Sequence, residues 1–78
     1  MKEKELMMKY KVFITTDYGR MFYIDQQGSI TGLFSKKFES FDEAKEYALQ
    51  NVVTTFKNYS VFIEEYVSPT KTNSVKIA

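Results

Sequence analysis

A two-layer α+β fold is expected for this chain, in the order β-β-β-α-β, with an antiparallel-rich sheet and one helix packed on one face. Three observations carry that expectation. Two alternating apolar/polar runs, "KYKVFITT" and "RMFYID", are joined by a glycine-containing turn. One stretch, opened by a capping box, has helical period, and a further alternating run, "YSVFIEEYV", follows it. At 78 residues, with 44% hydrophobic content, seven Phe and six Tyr, the chain has material for one small core.

Residues 1–8, "MKEKELMM", read as a flexible charged arm before a single domain at 9–67. In the first strand, Tyr10, Val12 and Ile14 share one side and Lys11, Phe13 and Thr15 the other. The turn "DYG" follows, with Asp17 placed to bond its own backbone and Gly19 free to take positive φ. In the second strand Phe22 and Ile24 share a face, with Met21 and Tyr23 opposite. A second turn, "DQQGS", leads into "ITGLFSKKF", a weaker third strand interrupted by Gly32, with Ile30, Phe34 and Phe38 set against Thr31, Leu33 and Ser35.

Ser40 and Glu43 form the S-x-x-E capping box, and Asp42, Glu43 and Glu46 lie where a helix N-terminus favours negative charge. The spacing predicts a helix from Phe41 to about Phe56, with Phe41, Ala44, Ala48, Leu49, Val52 and Phe56 as its apolar stripe. Lys45 falls within that stripe, its head expected to reach water past the sheet edge. The β-branched run in "NVVTTF" weakens the helix and leaves a strand at 52–56 as the alternative, and Asn58 is a candidate left-handed cap. In the last strand Val61 and Ile63 face the helix, with Ser60, Phe62, Glu64 and Tyr66 behind. Residues 68–78, "SPTKTNSVKIA", lack periodicity and read as a mobile polar tail whose sticky points are Val75 and Ile77. Tyr10, Val12, Ile14, Phe22, Ile24, Ile30, Phe34, Val61 and Ile63 are expected to meet the helix as core.

Composition narrows the chemistry. The absence of His and Cys removes imidazole- and thiol-based nucleophile pairs and the usual zinc ligands. The three glycines, at 19, 28 and 32, have neither dinucleotide-fingerprint nor phosphate-loop spacing. Glu64 and Glu65 are adjacent on a strand and point to opposite faces, so they cannot act as a carboxylate pair. Asp25 opens a turn and not a calcium loop, because Gln27 and Ser29 stand where stronger ligands belong. No catalytic residue, metal or cofactor is therefore expected, and the chain reads as a non-enzyme. No segment approaches the roughly 20 apolar residues of a membrane span, and a cytoplasmic protein without membrane attachment is expected.

A lone helix covers one face of the sheet. The other would show Phe13, Met21, Tyr23, Leu33, Phe62 and Tyr66, more apolar surface than an ordinary monomer leaves bare. Either the arm around Leu6, Met7 and Met8 or the tail around Val75 and Ile77 folds across it, or a strand has the opposite parity, or the face docks another protein, a second copy or a foreign factor. On the docking reading Phe13, Tyr23, Leu33, Phe62 and Tyr66 are the anchors, and Lys11 and Arg20 orient the partner. The competing reading is single-stranded nucleic acid stacked on Phe13, Tyr23 and Phe62, with Lys9, Lys11, Arg20, Lys36 and Lys37 along the phosphates. A formal charge of +1 and a single Arg count against it.

In size and element order the chain resembles small α+β proteins of phages and mobile elements, among them anti-CRISPR inhibitors and host-takeover factors. That resemblance covers layout and no motif, so it assigns no residue. It implies an inhibitor or accessory protein that occupies a surface of a larger machine.

Overall fold

In a computed structural model, residues 9–31 and 35–78 are described. The strands are β1 (Tyr10–Thr15), β2 (Met21–Ile24), β3 (Ile30–Thr31), β4 (Lys37–Phe38), β5 (Ser60–Ser68) and β6 (Lys71–Lys76). The helix α1 (Phe41–Tyr47) continues into a π-helical turn at Ala48–Val52. The sheet order is β3-β2-β1-β5-β6, with β4 also paired to β1, and each pairing is antiparallel. The two-layer α+β arrangement expected from the sequence is the one observed.

β1 is central because its alternation offers an apolar side to the helix and a second, aromatic-bearing side behind. One edge of β1 is paired along its length by β5, from Tyr10↔Glu65 to Thr15↔Ser60. Its other edge is shared: β2 takes Phe13 to Thr15 and β4 takes Tyr10 and Lys11. The single third strand read across 30–38 is thus two short strands, and the positions of Gly32, Leu33 and Phe34 lie outside the described residues. Both turn glycines adopt positive φ, Gly19 at 82° and Gly28 at 81°. In the first turn the cap is Thr16 and not Asp17: Thr16 Oγ1 accepts from the N–H groups of Tyr18 and Arg20 at 3.3 and 3.2 Å. In the second, Asp25 Oδ1 accepts from Gln27 and Ser29 at 2.8 and 3.0 Å, an Asx-type turn.

Ser40 caps the helix as its spacing predicts, with Oγ accepting from Glu43 N at 3.1 Å. Beyond Tyr47 the ladder widens, and Val53 N bonds to Ala48 O at 2.8 Å. This wider turn has a packing consequence. A spacing of four overshoots a 3.6-residue α-turn, and the i→i+5 step takes up the excess, so Ala44, Ala48 and Val52 stay on one line and are all fully buried. Leu49, expected in the stripe, is 45% exposed instead. The polar β-branched run that weakened the helix reading closes it: Thr54 and Thr55 hydroxyls donate to the carbonyls of Gln50 and Asn51. No non-glycine residue among those described has positive φ, so Asn58 is not a left-handed cap. Lys45 is exposed, as its place at the helix start allows.

The core between helix and sheet is Val12, Ile14, Ile24, Phe38, Ala44, Ala48, Val52, Val61 and Ile63, with Tyr10, Phe22, Phe41, Tyr47, Val53, Phe56 and Ile77 packed around it. Ile30, expected in the core, is 48% exposed because β3 lies at the sheet edge, out of reach of the short helix. The tail reading of 68–78 is corrected as well. β6 pairs with β5 from Phe62↔Lys76 to Ser68↔Lys71, and Ile77 N bonds to Val61 O at 2.9 Å. No helix among the described residues is long and apolar enough to cross a membrane.

Candidate functional site: the helix-free sheet face

Directly paired residues share a face, so the registers lay out this surface as rows. One row runs Thr31, Tyr23, Phe13, Phe62 and Lys76 across β3, β2, β1, β5 and β6. The next runs Lys37, Lys11, Glu64 and Ser74 across β4, β1, β5 and β6. Beyond it stand Lys9, Tyr66 and Thr72, with Tyr66 N bonded to Lys9 O at 2.8 Å.

Phe13 is 6% exposed although it points away from the helix and lies outside the core cluster. Its neighbours account for this. Phe62 stacks on it with centroids 5.0 Å apart and planes 4° from parallel, and Tyr23 meets it edge-on at 6.1 Å. Tyr23 then reaches over β1, its hydroxyl donating to Glu64 Oε1 at 2.7 Å. The Lys11 ammonium sits 5.1 Å from the Tyr23 ring centroid. Hydroxyl and carboxylate together form a strap across the central strand, running diagonally between Phe13 and Lys11. Burial pushes the Tyr23 phenol up to about 12, and its hydrogen bond to the Glu64 carboxylate and that group's charge act in the same direction.

Beside the strap lies a hollow of about 350 Å³ lined by Lys9, Lys11, Tyr23, Lys37, Glu64, Tyr66 and Thr72. Its charge is positive. Lys9 is engaged by Glu65, 3.5 Å away on the other face of β5, and Glu64 is engaged by Tyr23. Lys11 and Lys37 are direct cross-strand neighbours of like charge, and Glu64 stands opposite Lys11 on its other side, so the row carries one positive charge in excess. Tyr66, 42% exposed, supplies an aromatic wall.

Of the residues expected to bind a partner, Phe13, Tyr23, Phe62, Tyr66 and Lys11 are brought together here. Phe13 is the buried support beneath the others. Leu33 lies outside the described residues. Arg20 is not brought to this face: its guanidinium lies 5.4 Å from the centroid of Phe22, a ring that packs on the helix side. Strand parity held that signal, since Arg20 is two residues from Phe22. Lys36 is also on the helix side, over Phe38 and Tyr47. There burial, and then the Asp25 charge, raise the Tyr47 phenol, whose hydroxyl donates to Asp25 O at 3.3 Å. Thr72, Ser74 and Lys76 join the face unexpectedly, because β6 has no apolar alternation to announce it. The tail does not fold across these rings, since Ile77 packs against the helix-side core, and the arm around Leu6, Met7 and Met8 lies outside the described residues.

Among the described residues no group of three or more acidic side chains is arranged to hold a metal ion. Comparison with protein-family models, with curated proteins and with solved structures returned no match.

Proposed function

We propose that this chain is a non-enzymatic protein-binding module that acts through its helix-free sheet face, as an inhibitor or accessory factor occupying a surface of another protein. Tyr66, Tyr23 and Phe62 supply the contact, Phe13 supports them, and Lys11 and Lys37 receive an acidic side chain of the partner in the hollow.

The observation that carries this reading is the way the rings stand. Phe13 and Phe62 turn their flat faces on each other, at 5.0 Å and 4°, and the Lys11 ammonium lies over Tyr23. A nucleobase needs an open ring face to stack on. With one face of each of these three rings already taken and lysine ammonium groups rimming a concave pocket beside them, the surface suits the side chains of a protein. Single-stranded nucleic acid remains the competing reading because Lys11, Lys37 and Lys76 outnumber Glu64 on this face.

The test pairs two exposed substitutions, Tyr66→Ala and Lys37→Glu, with the unmodified chain as baits in host lysate. A protein retained by the unmodified chain and lost from both variants supports the proposal. Its loss should follow from removing an aromatic contact worth on the order of 2 kcal/mol. Equal capture by all three baits, or salt-sensitive binding of oligothymidine that both variants lose, refutes it.

A further inference from the structure

The edge of the sheet formed by β6 carries an inference of its own. Tyr66 N bonds to Lys9 O, so in β5 the even-numbered residues direct their backbone groups toward β1. Ile63 and Glu65 therefore bond to β6, through Val75 and Asn73, in phase with the bond from Ile77 N to Val61 O. The alternation leaves Thr72, Ser74 and Lys76 with N–H and C=O directed away from the sheet. All six residues of β6 are exposed, whereas the opposite edge is broken into the two-residue strands β3 and β4. β6 is thus the long open edge among the described residues, of the kind that recruits another strand.

We infer that the occupant of this edge is β6 of a second copy, paired antiparallel about a two-fold axis through Ser74. The sequence "KTNSVK" fits itself in that register. Ser74 lies opposite Ser74 of the second copy, Thr72 opposite its Lys76, Asn73 opposite its Val75, and Lys71 opposite its Ile77. Every lysine meets an uncharged residue, so the like-charge opposition that penalises edge pairing is absent. The register joins outward-facing backbone groups to outward-facing ones, as an antiparallel ladder requires. Val75, 48% exposed on the helix side of the sheet, becomes a diagonal neighbour of its own copy. With a formal charge of +1, two copies scarcely repel.

The axis stands perpendicular to the sheet, so both helices lie on one side and both aromatic faces join on the other. The interface is small and mostly backbone, and association is accordingly weak and concentration-dependent. This inference is independent of the partner-binding reading, because the edge substitutions below leave Tyr66, Lys11 and Lys37 in place.

The experiment is light-scattering mass as a function of concentration, with amide hydrogen exchange on the same samples. The mass should rise from 9.2 kDa toward twice that value as concentration approaches about 1 mM. Over that range the Thr72, Ser74 and Lys76 amides should gain protection, while Asn73 and Val75, already bonded to β5, should not change. Ser74→Pro removes an outward N–H without breaking a β5–β6 bond, a position where an edge strand accepts proline, and should hold the mass at the monomer value. Ser74→Ala should still associate. A mass fixed at 9.2 kDa with concentration-independent exchange overturns the inference. So does association that survives Ser74→Pro. If Ser74→Pro fails to fold, the exchange pattern of the unmodified chain decides.

Discussion

The strap from Tyr23 to Glu64 yields a prediction that can be worked through from its geometry. Tyr23→Phe keeps the ring, its edge contact with Phe13 and its position under Lys11, and removes only the hydroxyl that bonds Glu64 at 2.7 Å. A hydrogen bond to a carboxylate contributes about 1.5–3 kcal/mol, and partial exposure of both groups to solvent brings that down to about 1–2 kcal/mol. The phenol's ionisation points the same way: burial, and then the Glu64 hydrogen bond and charge, raise it from its ordinary value of 10 to about 12, so the fold favours the neutral, donating form. Because the folded value lies above the unfolded one, this contribution is intact below pH 10 and is lost as pH rises through 12. Urea denaturation followed by circular dichroism from pH 7 to 12 measures both effects. Tyr23→Phe should be less stable by about 1–2 kcal/mol at pH 7. The gap between the two proteins should narrow between pH 10 and 12. Tyrosinate absorbance should show a late component near pH 12 that the variant lacks. Equal stability at pH 7 together with superimposable titrations would refute the strap.

Four further substitutions have outcomes fixed by the same geometry. Phe13→Ala should cost about 3–5 kcal/mol in chemical denaturation despite lying on the helix-free face, and Phe62→Ala, partly exposed, should cost less while keeping the helical circular dichroism signal. Ser40→Ala should lose about 1 kcal/mol through the missing bond to Glu43 N, read as a shifted urea midpoint with unchanged slope. Lys37→Glu should raise stability by a few tenths of a kcal/mol by ending the like-charge opposition with Lys11, a gain that disappears in high salt.

What could be read ahead of the structure was local. Ser40 and Glu43 are three residues apart, Gly19 and Gly28 mark their own turns, and the alternation in β1 and β5 assigns Phe13 and Phe62 to one face with no knowledge of register. The parts that escaped depend on neighbours. β6 lies beyond the helix and need bury no apolar side, so "KTNSVK" has no alternation, and its extended form is imposed by β5. The two residues of β4 are a strand only because β1 has a free half-edge beside them. Nothing near Ala48 signals the widened turn, and Leu49 was assigned inward on the assumption of a regular helix. At the site, the rings and Lys11 were legible from parity. The bond from Tyr23 to Glu64 was not, because it spans three strands and needs their registers.

The central strand also dictates how this molecule must be assembled in time. β1 is made early, yet the strand along its full length is β5, and the Tyr10 hydroxyl finds Glu65 at a separation of 55 positions. A nascent chain holding only β1 and β2 has a hairpin with no layer to shelter it, a marginal structure in water. Closure of the sheet's middle is a long-range event, and the loop between β1 and β5 must be ordered before that pairing repays its entropy.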